Sequence, residues 1–136
     1  MALILDTSVV FAALDRDDAF HAQARALLES SMEMLVVPSP TLPEIDYLLR
    51  QRVGPGAAVA FVDDIVAGAF MVEDLAFEDY PRIRELMDRY AEVGFVDAAI
   101  LTIAERMGEP KVATLDHRHF AMMRPRHVDA LELLPG

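Results

Sequence analysis

The 136-residue chain contains no cysteine. That absence excludes a disulfide scaffold, a thiolate metal centre and a cysteine nucleophile together. It also lacks any apolar run near the ~18 residues of a membrane span, because Asp6, Asp46, Asp63 and Asp97 interrupt the most hydrophobic stretches. A basic leader is missing too. Met1 runs directly into Ala2-Leu3-Ile4-Leu5-Asp6, so no signal peptide is expected and the chain reads as cytoplasmic, with no membrane role. Positive charge is scarce: 12 Lys+Arg against 23 Asp+Glu leave a net charge of −11, and Lys111 is the single lysine. Such a field repels phosphate and excludes coating of nucleic acid by bulk attraction. Screening confines the repulsion to roughly 8 Å at physiological salt, so a local basic patch or bound cations can still admit a polyanion.

What the chain has in quantity is apolar surface, 54% hydrophobic residues with a mean hydropathy of +0.25. A chain of this size buries roughly two-thirds of its unfolded surface, enough for a core without staples. Residues 1–136 are expected to form one domain. Short apolar runs at Leu3–Leu5, Met34–Val37, Phe70–Val72, Lys111–Leu115 and Ala130–Leu134 suit strands buried on both faces. Helical patterns lie between them. Val9 to Leu14 follows the first run, and Asp18 can cap a helix from about Ala19 to Ser30, with Phe20, Ala24, Leu27 and Leu28 on one face. The next two run from about Thr41 to Arg52 and about Ala57 to Val66, divided by Gly54-Pro55-Gly56. Pro81 suits the first turn of another, striped by Ile83, Leu86, Met87 and Tyr90. The last long one, about Asp97 to Met107, stops at Gly108 with Pro110 beyond. Alternating strands and helices predict an α/β fold, a three-layer α/β/α sandwich around a mainly parallel central sheet.

Four acids stand in informative places. Asp6 ends the first strand, where open α/β sheets collect ligands; it either serves chemistry there or caps the helix that follows. Asp116 repeats the arrangement after the Val112–Leu115 run, with the same two readings. Asp97 falls on the flank of a stripe made by Val96, Ile100, Ile103, Ala104 and Met107, while Glu105 and Arg106 point away. An acid beside a core stripe costs free energy unless it is capped, paired or bound to a cation, and an N-cap role for Asp97 is the competing reading. Glu44 and Asp46 flank opposite sides of the Leu42, Ile45, Leu48, Leu49 stripe, so helical geometry does not choose between them. Acids gathered at one sheet edge repel one another, and a hard divalent cation, Mg²⁺ or Mn²⁺, relieves that repulsion. Acids and such an ion, without a nucleophilic side chain, point to phosphodiester hydrolysis.

Four segments in this order resemble the PIN-domain ribonucleases, and within them the VapC-type toxins of prokaryotic toxin–antitoxin systems. They are Leu5-Asp6-Thr7-Ser8-Val9, Leu42-Pro43-Glu44-Ile45, Gly94-Phe95-Val96-Asp97-Ala98-Ala99-Ile100, and Ala113-Thr114-Leu115-Asp116-His117-Arg118-His119-Phe120. The resemblance spans essentially the whole chain. It implies that Asp6, Glu44, Asp97 and Asp116 form a catalytic, metal-binding quartet, which chooses Glu44 over Asp46. Ser8 and Thr114 match the small hydroxyl positions that orient such a quartet. It further implies a metal-dependent endoribonuclease acting on an RNA substrate, a homodimer, and a small cognate antitoxin protein as partner.

The stretch from His117 to His127 carries Arg118, Arg124 and Arg126 and no acid, so these arginines are candidate RNA-phosphate contacts, with an ordinary solvated loop as the plain reading. His117 and His119 lack a third soft ligand, which argues against a histidine metal site. The Met122-Met123 pair suits either core filling or an adaptable partner surface. A haloacid-dehalogenase phosphatase would need an acid where Ser8 stands, and a phosphorylation receiver would need an acidic pair at the first strand end. The remaining alternative is a catalytically inactive PIN-like domain that only binds protein or RNA.

Overall fold

The computed structural model describes residues 1–136. Five strands, β1 (Ala2–Leu5), β2 (Met34–Pro38), β3 (Met71–Glu73), β4 (Lys111–Ala113) and β5 (Glu132–Leu134), form one sheet in the order β3-β2-β1-β4-β5. Every pairing is parallel, so the expected "mainly parallel" sheet is wholly so. Seven helices flank it: α1 (Thr7–Leu14), α2 (His21–Ser30), α3 (Leu42–Arg52), α4 (Pro55–Val66), α5 (Tyr80–Arg89), α6 (Phe95–Met107) and α7 (His117–Met122).

The period-two rule of a strand builds the three layers directly. Along β1 every residue is buried, yet Leu3 and Leu5 join one core with α1 to α4, whereas Ala2 and Ile4 join the other with α5, α6 and α7. A strand apolar at every position is therefore what a central strand covered on both faces requires. β1 lies between β2 and β4 because the chain first winds outward to β3 and then returns across β1. That return creates a switch point between β1 and β4, the place where a parallel sheet opens a crevice beyond its strand ends.

Element ends depart from the sequence reading in ways that matter for the crevice. β4 stops at Ala113 and does not continue to Leu115, because the Leu115 amide leaves the ladder to donate to Ser8 Oγ at 3.0 Å and the Asp116 amide turns back to Thr114 Oγ1 at 2.9 Å. Asp116 thus stands on a short turn past the strand. Helix α6 starts at Phe95, two residues before the expected Asp97, and its N-cap is Gly94. It ends as expected: Gly108 takes a left-handed φ of 69°, and the Glu109 amide reaches back to the Ala104 carbonyl at 2.9 Å. Phe20, expected on the buried face of its helix, is exposed, and α2 begins after it.

Glu105 corrects the reading that it points away. Its carboxylate grips Arg82 of α5 through Nε at 2.9 Å and Nη2 at 2.8 Å, and each side chain is only 10% exposed. No helix is long and apolar enough to cross a membrane.

Candidate active site

Asp6 leaves β1 at the switch point. Its backbone amide continues the β1–β4 ladder to the Ala113 carbonyl at 2.9 Å, which holds the residue against β4. Its side chain is nearly buried and both oxygens are engaged. Oδ1 accepts the Thr7 amide at 2.8 Å; Oδ2 accepts the Ser8 hydroxyl at 3.1 Å and the Thr114 hydroxyl at 2.8 Å. Each hydroxyl is oriented by a backbone donor of the β4 exit: Leu115 N–H donates to Ser8 Oγ at 3.0 Å, and Asp116 N–H to Thr114 Oγ1. Asp6 does occupy the N-cap of α1, so the capping and site readings hold at once. Burial pushes its carboxyl above the ordinary range, the three hydrogen bonds pull back toward the ionised form, and Glu44 adds repulsion.

Glu44 projects from the first turn of α3, where Thr7 Oγ1 donates to Oε1 at 2.6 Å. Asp46, its rival by helical angle, instead faces solvent in an i,i+4 pair with Arg50. Asp97 stands inside the first turn of α6 and is not its N-cap. Its side chain is half-buried and its carboxyl is pushed up to about 6, first by burial, then by Asp6, with Asp116 and Glu44 adding to the repulsion against a counteracting His119. Asp116 holds the N-cap position of α7 but makes no capping hydrogen bond with its side chain.

Asp6, Glu44, Asp97 and Asp116, with Thr7, Ser8, Pro43, Tyr47 and Leu48, line one cleft of about 560 Å³. Four segments far apart in the chain thus present carboxylates to a common space. His119 completes one corner: Nδ1 lies 3.0 Å from Asp116 Oδ2 and 3.3 Å from Asp97 Oδ2. One ligand atom from each of these three residues falls within 4.8 Å of the others. The sequence reading set His119 aside for want of soft neighbours; the signal it needed was the i,i+3 spacing from Asp116, which puts both on one helical face. Thr7 was also passed over, and its partner lies 37 positions away.

The arginines take separate places. Arg118 is exposed and pairs with Glu92, Arg126 is tied to Glu85, and Arg124 has no acid on its guanidinium. His117 turns its Nε2 to the Thr114 carbonyl at 3.1 Å.

Fold and cleft together define a three-layer parallel α/β protein with a carboxylate site at its switch point. The PIN-domain family model matches residues 3–124. The chain is 31% identical over 125 residues to Ribonuclease VapC26 of Mycobacterium tuberculosis, covering 90% of this chain and 93% of that one. It belongs to the PIN-domain family and, within it, to the VapC group. Among solved structures it resembles VapC20 of M. tuberculosis, described as a sarcin–ricin loop cleaving toxin, with a TM-score of 0.81, 26% identity, and 93% and 98% of the two chains covered. It shares the fold of VapBC2 from Rickettsia felis bound to a promoter DNA fragment, with a TM-score of 0.70, 17% identity, and 98% of each chain covered.

Proposed function

We propose that this protein is an endoribonuclease that hydrolyses phosphodiester bonds in RNA, acting as the toxin of a toxin–antitoxin pair. The observation that carries this reading is the convergence of Asp6, Glu44, Asp97 and Asp116 on a single cleft. The relatives support RNA as the substrate, since one is named a ribonuclease and another a toxin that cleaves the sarcin–ricin loop. Solved complexes of VapBC type share the fold, and they support a small cognate antitoxin as partner.

The donor set fits a hard divalent cation, Mg²⁺ or Mn²⁺. It is rich in carboxylates and free of thiols, and Asp6 and Asp97 are both pushed toward protonation by burial and by their acidic neighbours. Asp6, Glu44, Asp97 and Asp116 would hold it. A bound ion of this kind supplies charge stabilisation at phosphate oxygens and a more acidic water.

The chain's own residues organise the site around that charge. Ser8 and Thr114 each donate to Asp6 Oδ2 and accept a backbone amide, from Leu115 and Asp116, so both hydroxyls are held as positioning groups for Asp6, and water is the proposed nucleophile. Together with the Thr7 amide they fix the Asp6 carboxylate, while the Thr7 hydroxyl fixes Glu44. Arg118 directly follows the Asp116–His117 turn and is exposed enough to exchange Glu92 for an RNA phosphate. Arg124 is free to do the same, whereas Arg126 would first have to leave Glu85.

Incubation of labelled RNA with wild type and Asp6→Asn, with Mg²⁺ and with EDTA, tests the proposal. Wild type is expected to cleave only with the cation. Asp6→Asn should lose more than about a hundredfold, beyond the 10–100-fold typical of losing an outer partner. Equal cleavage by both proteins would mean a contaminant or a misplaced site, and no cleavage by wild type would leave this chain an inactive binding module.

A further inference from the structure

Of the 4 histidines, three are anchored on backbone carbonyls. His21 Nδ1 meets the Ala12 carbonyl at 2.8 Å, His117 Nε2 that of Thr114 at 3.1 Å, and His127 Nε2 that of Glu109 at 2.6 Å. His119 forms no such bond. Its Nδ1 stands between two carboxylate oxygens instead, Asp116 Oδ2 at 3.0 Å and Asp97 Oδ2 at 3.3 Å. Both oxygens are close, yet neither lies near enough to the ring's N–H axis to complete a hydrogen bond. Packing holds the ring in this place. Phe120 and Met123 are buried in the core that α6 shares, so α7 is pinned with His119 against the first turn of that helix.

We propose that His119 is a nitrogen ligand of the cation site and makes that site prefer Mn²⁺ to Mg²⁺. The proposal rests on the cation reading above and refines it. An imidazole nitrogen and two carboxylate oxygens, all within 4.8 Å of one another, form a triangle of ligand atoms at one corner of the cleft. With metal–ligand bonds of ~2.1 Å, adjacent ligands of an octahedral ion stand about 3.0 Å apart. The two Nδ1–oxygen separations are close to that spacing. Their direction fits as well. A ligating nitrogen aims its lone pair at the ion, and the adjacent ligands then lie about 45° to the side of that line. An ordinary ion pair would instead align the N–H with one of the two oxygens, and here it serves neither. The nitrogen also decides between ions. Imidazole suits transition metals, whereas Mg²⁺ favours oxygen ligands and keeps several waters. A purely carboxylate set leaves the choice of ion to charge and size, and one nitrogen tilts it toward Mn²⁺.

Electron spin-echo spectroscopy of the Mn²⁺-loaded protein, with calorimetry for Mn²⁺ and Mg²⁺, tests this on wild type, His119→Gln and His119→Ala. The wild-type spectrum should carry the coupling of a directly bound nitrogen, and labelling histidine with the heavy nitrogen isotope should change it. His119→Gln at saturating Mn²⁺ should lose that coupling. Both variants should bind Mn²⁺ at least about tenfold more weakly, the low end of the loss from disturbing even an outer partner of a metal site. Mg²⁺ binding should weaken by less than roughly threefold, since its preferred oxygen ligands remain. Saturable Mn²⁺ binding by wild type without nitrogen coupling overturns the ligand role of His119 and leaves the carboxylate site standing. Equal losses for Mn²⁺ and Mg²⁺ overturn the ion preference and reduce His119 to a neighbour that steadies Asp97 and Asp116. A wild type that binds neither ion overturns the cation reading and this inference with it.

Discussion

Asp97→Asn is expected to abolish RNA cleavage and yet leave the chelated protein at least as stable as wild type at pH 7. The two effects share one cause. Asp97 is half-buried among Asp6, Asp116 and Glu44, and its carboxyl is pushed up to about 6 from the ordinary 3.8. Below pH 4 the group carries its proton in both the folded and unfolded chain, so it costs nothing. Between pH 4 and 6 the unfolded chain releases the proton while the folded one keeps it, and stability falls as pH rises. Above about pH 6 the penalty is fully present. The full difference would be worth roughly 3 kcal/mol; partial exposure and solvent screening reduce it to on the order of 1 kcal/mol. Asparagine keeps the shape, removes the charge and removes the penalty. Urea denaturation in EDTA at pH 4 and pH 7 checks this, since the variant's loss between the two should be smaller than that of wild type. A variant several kcal/mol less stable would mean that Asp97 serves the helix and not the site.

Glu105→Ala should be the most damaging change to an ion pair of this fold, costing about 3 kcal/mol, the scale for stripping one partner from a buried ion pair. Glu105 holds Arg82 through two bonds, and its Oε2 also accepts the Arg126 amide at 2.8 Å. It therefore fastens α5, α6 and the segment after α7 at one point. Removal leaves the largely buried Arg82 guanidinium with Glu85 as its one carboxylate partner, at 3.0 Å. Equilibrium urea unfolding should show the loss at all pH values where both groups are charged. A loss below about 1 kcal/mol would mean that the pair behaves as an ordinary surface bridge.

The contrast between Asp97 and Glu105 shows how far the sequence could be read. Both sit on α6, and helical angle placed Asp97 on the flank of the core and Glu105 toward solvent. The first follows from the residues of the helix itself. The second fails because Arg82 lies on another helix, and no periodicity within α6 reports a partner there. The same division runs through the cleft. Asp6 and Asp116 were legible because each follows an apolar run that must be a strand, and neighbouring parallel strands end on the same side. Glu44 and Asp46 were not separable by angle, since both flank one stripe; the Thr7 hydroxyl, from a segment beyond the helix, marks the difference. His119 was missed because histidine spacing was weighed for soft ligands, whereas its actual neighbours are two carboxylates. The strands, helices and their alternation came through because burial on one face or two imposes a period on the sequence. Element ends such as β4 moved because two hydroxyls, Ser8 Oγ and Thr114 Oγ1, capture the Leu115 and Asp116 amides that would otherwise extend the strand.

Manganese binding measured by titration calorimetry at pH 7 tests the central claim most directly. Wild type should bind the ion saturably, Asp97→Asn and Asp116→Asn should lose that binding, and Asp46→Asn, altered outside the cleft, should retain it in full. Binding that survives Asp97→Asn and Asp116→Asn as well as it survives Asp46→Asn would show that the convergent carboxylates do not form the cation site.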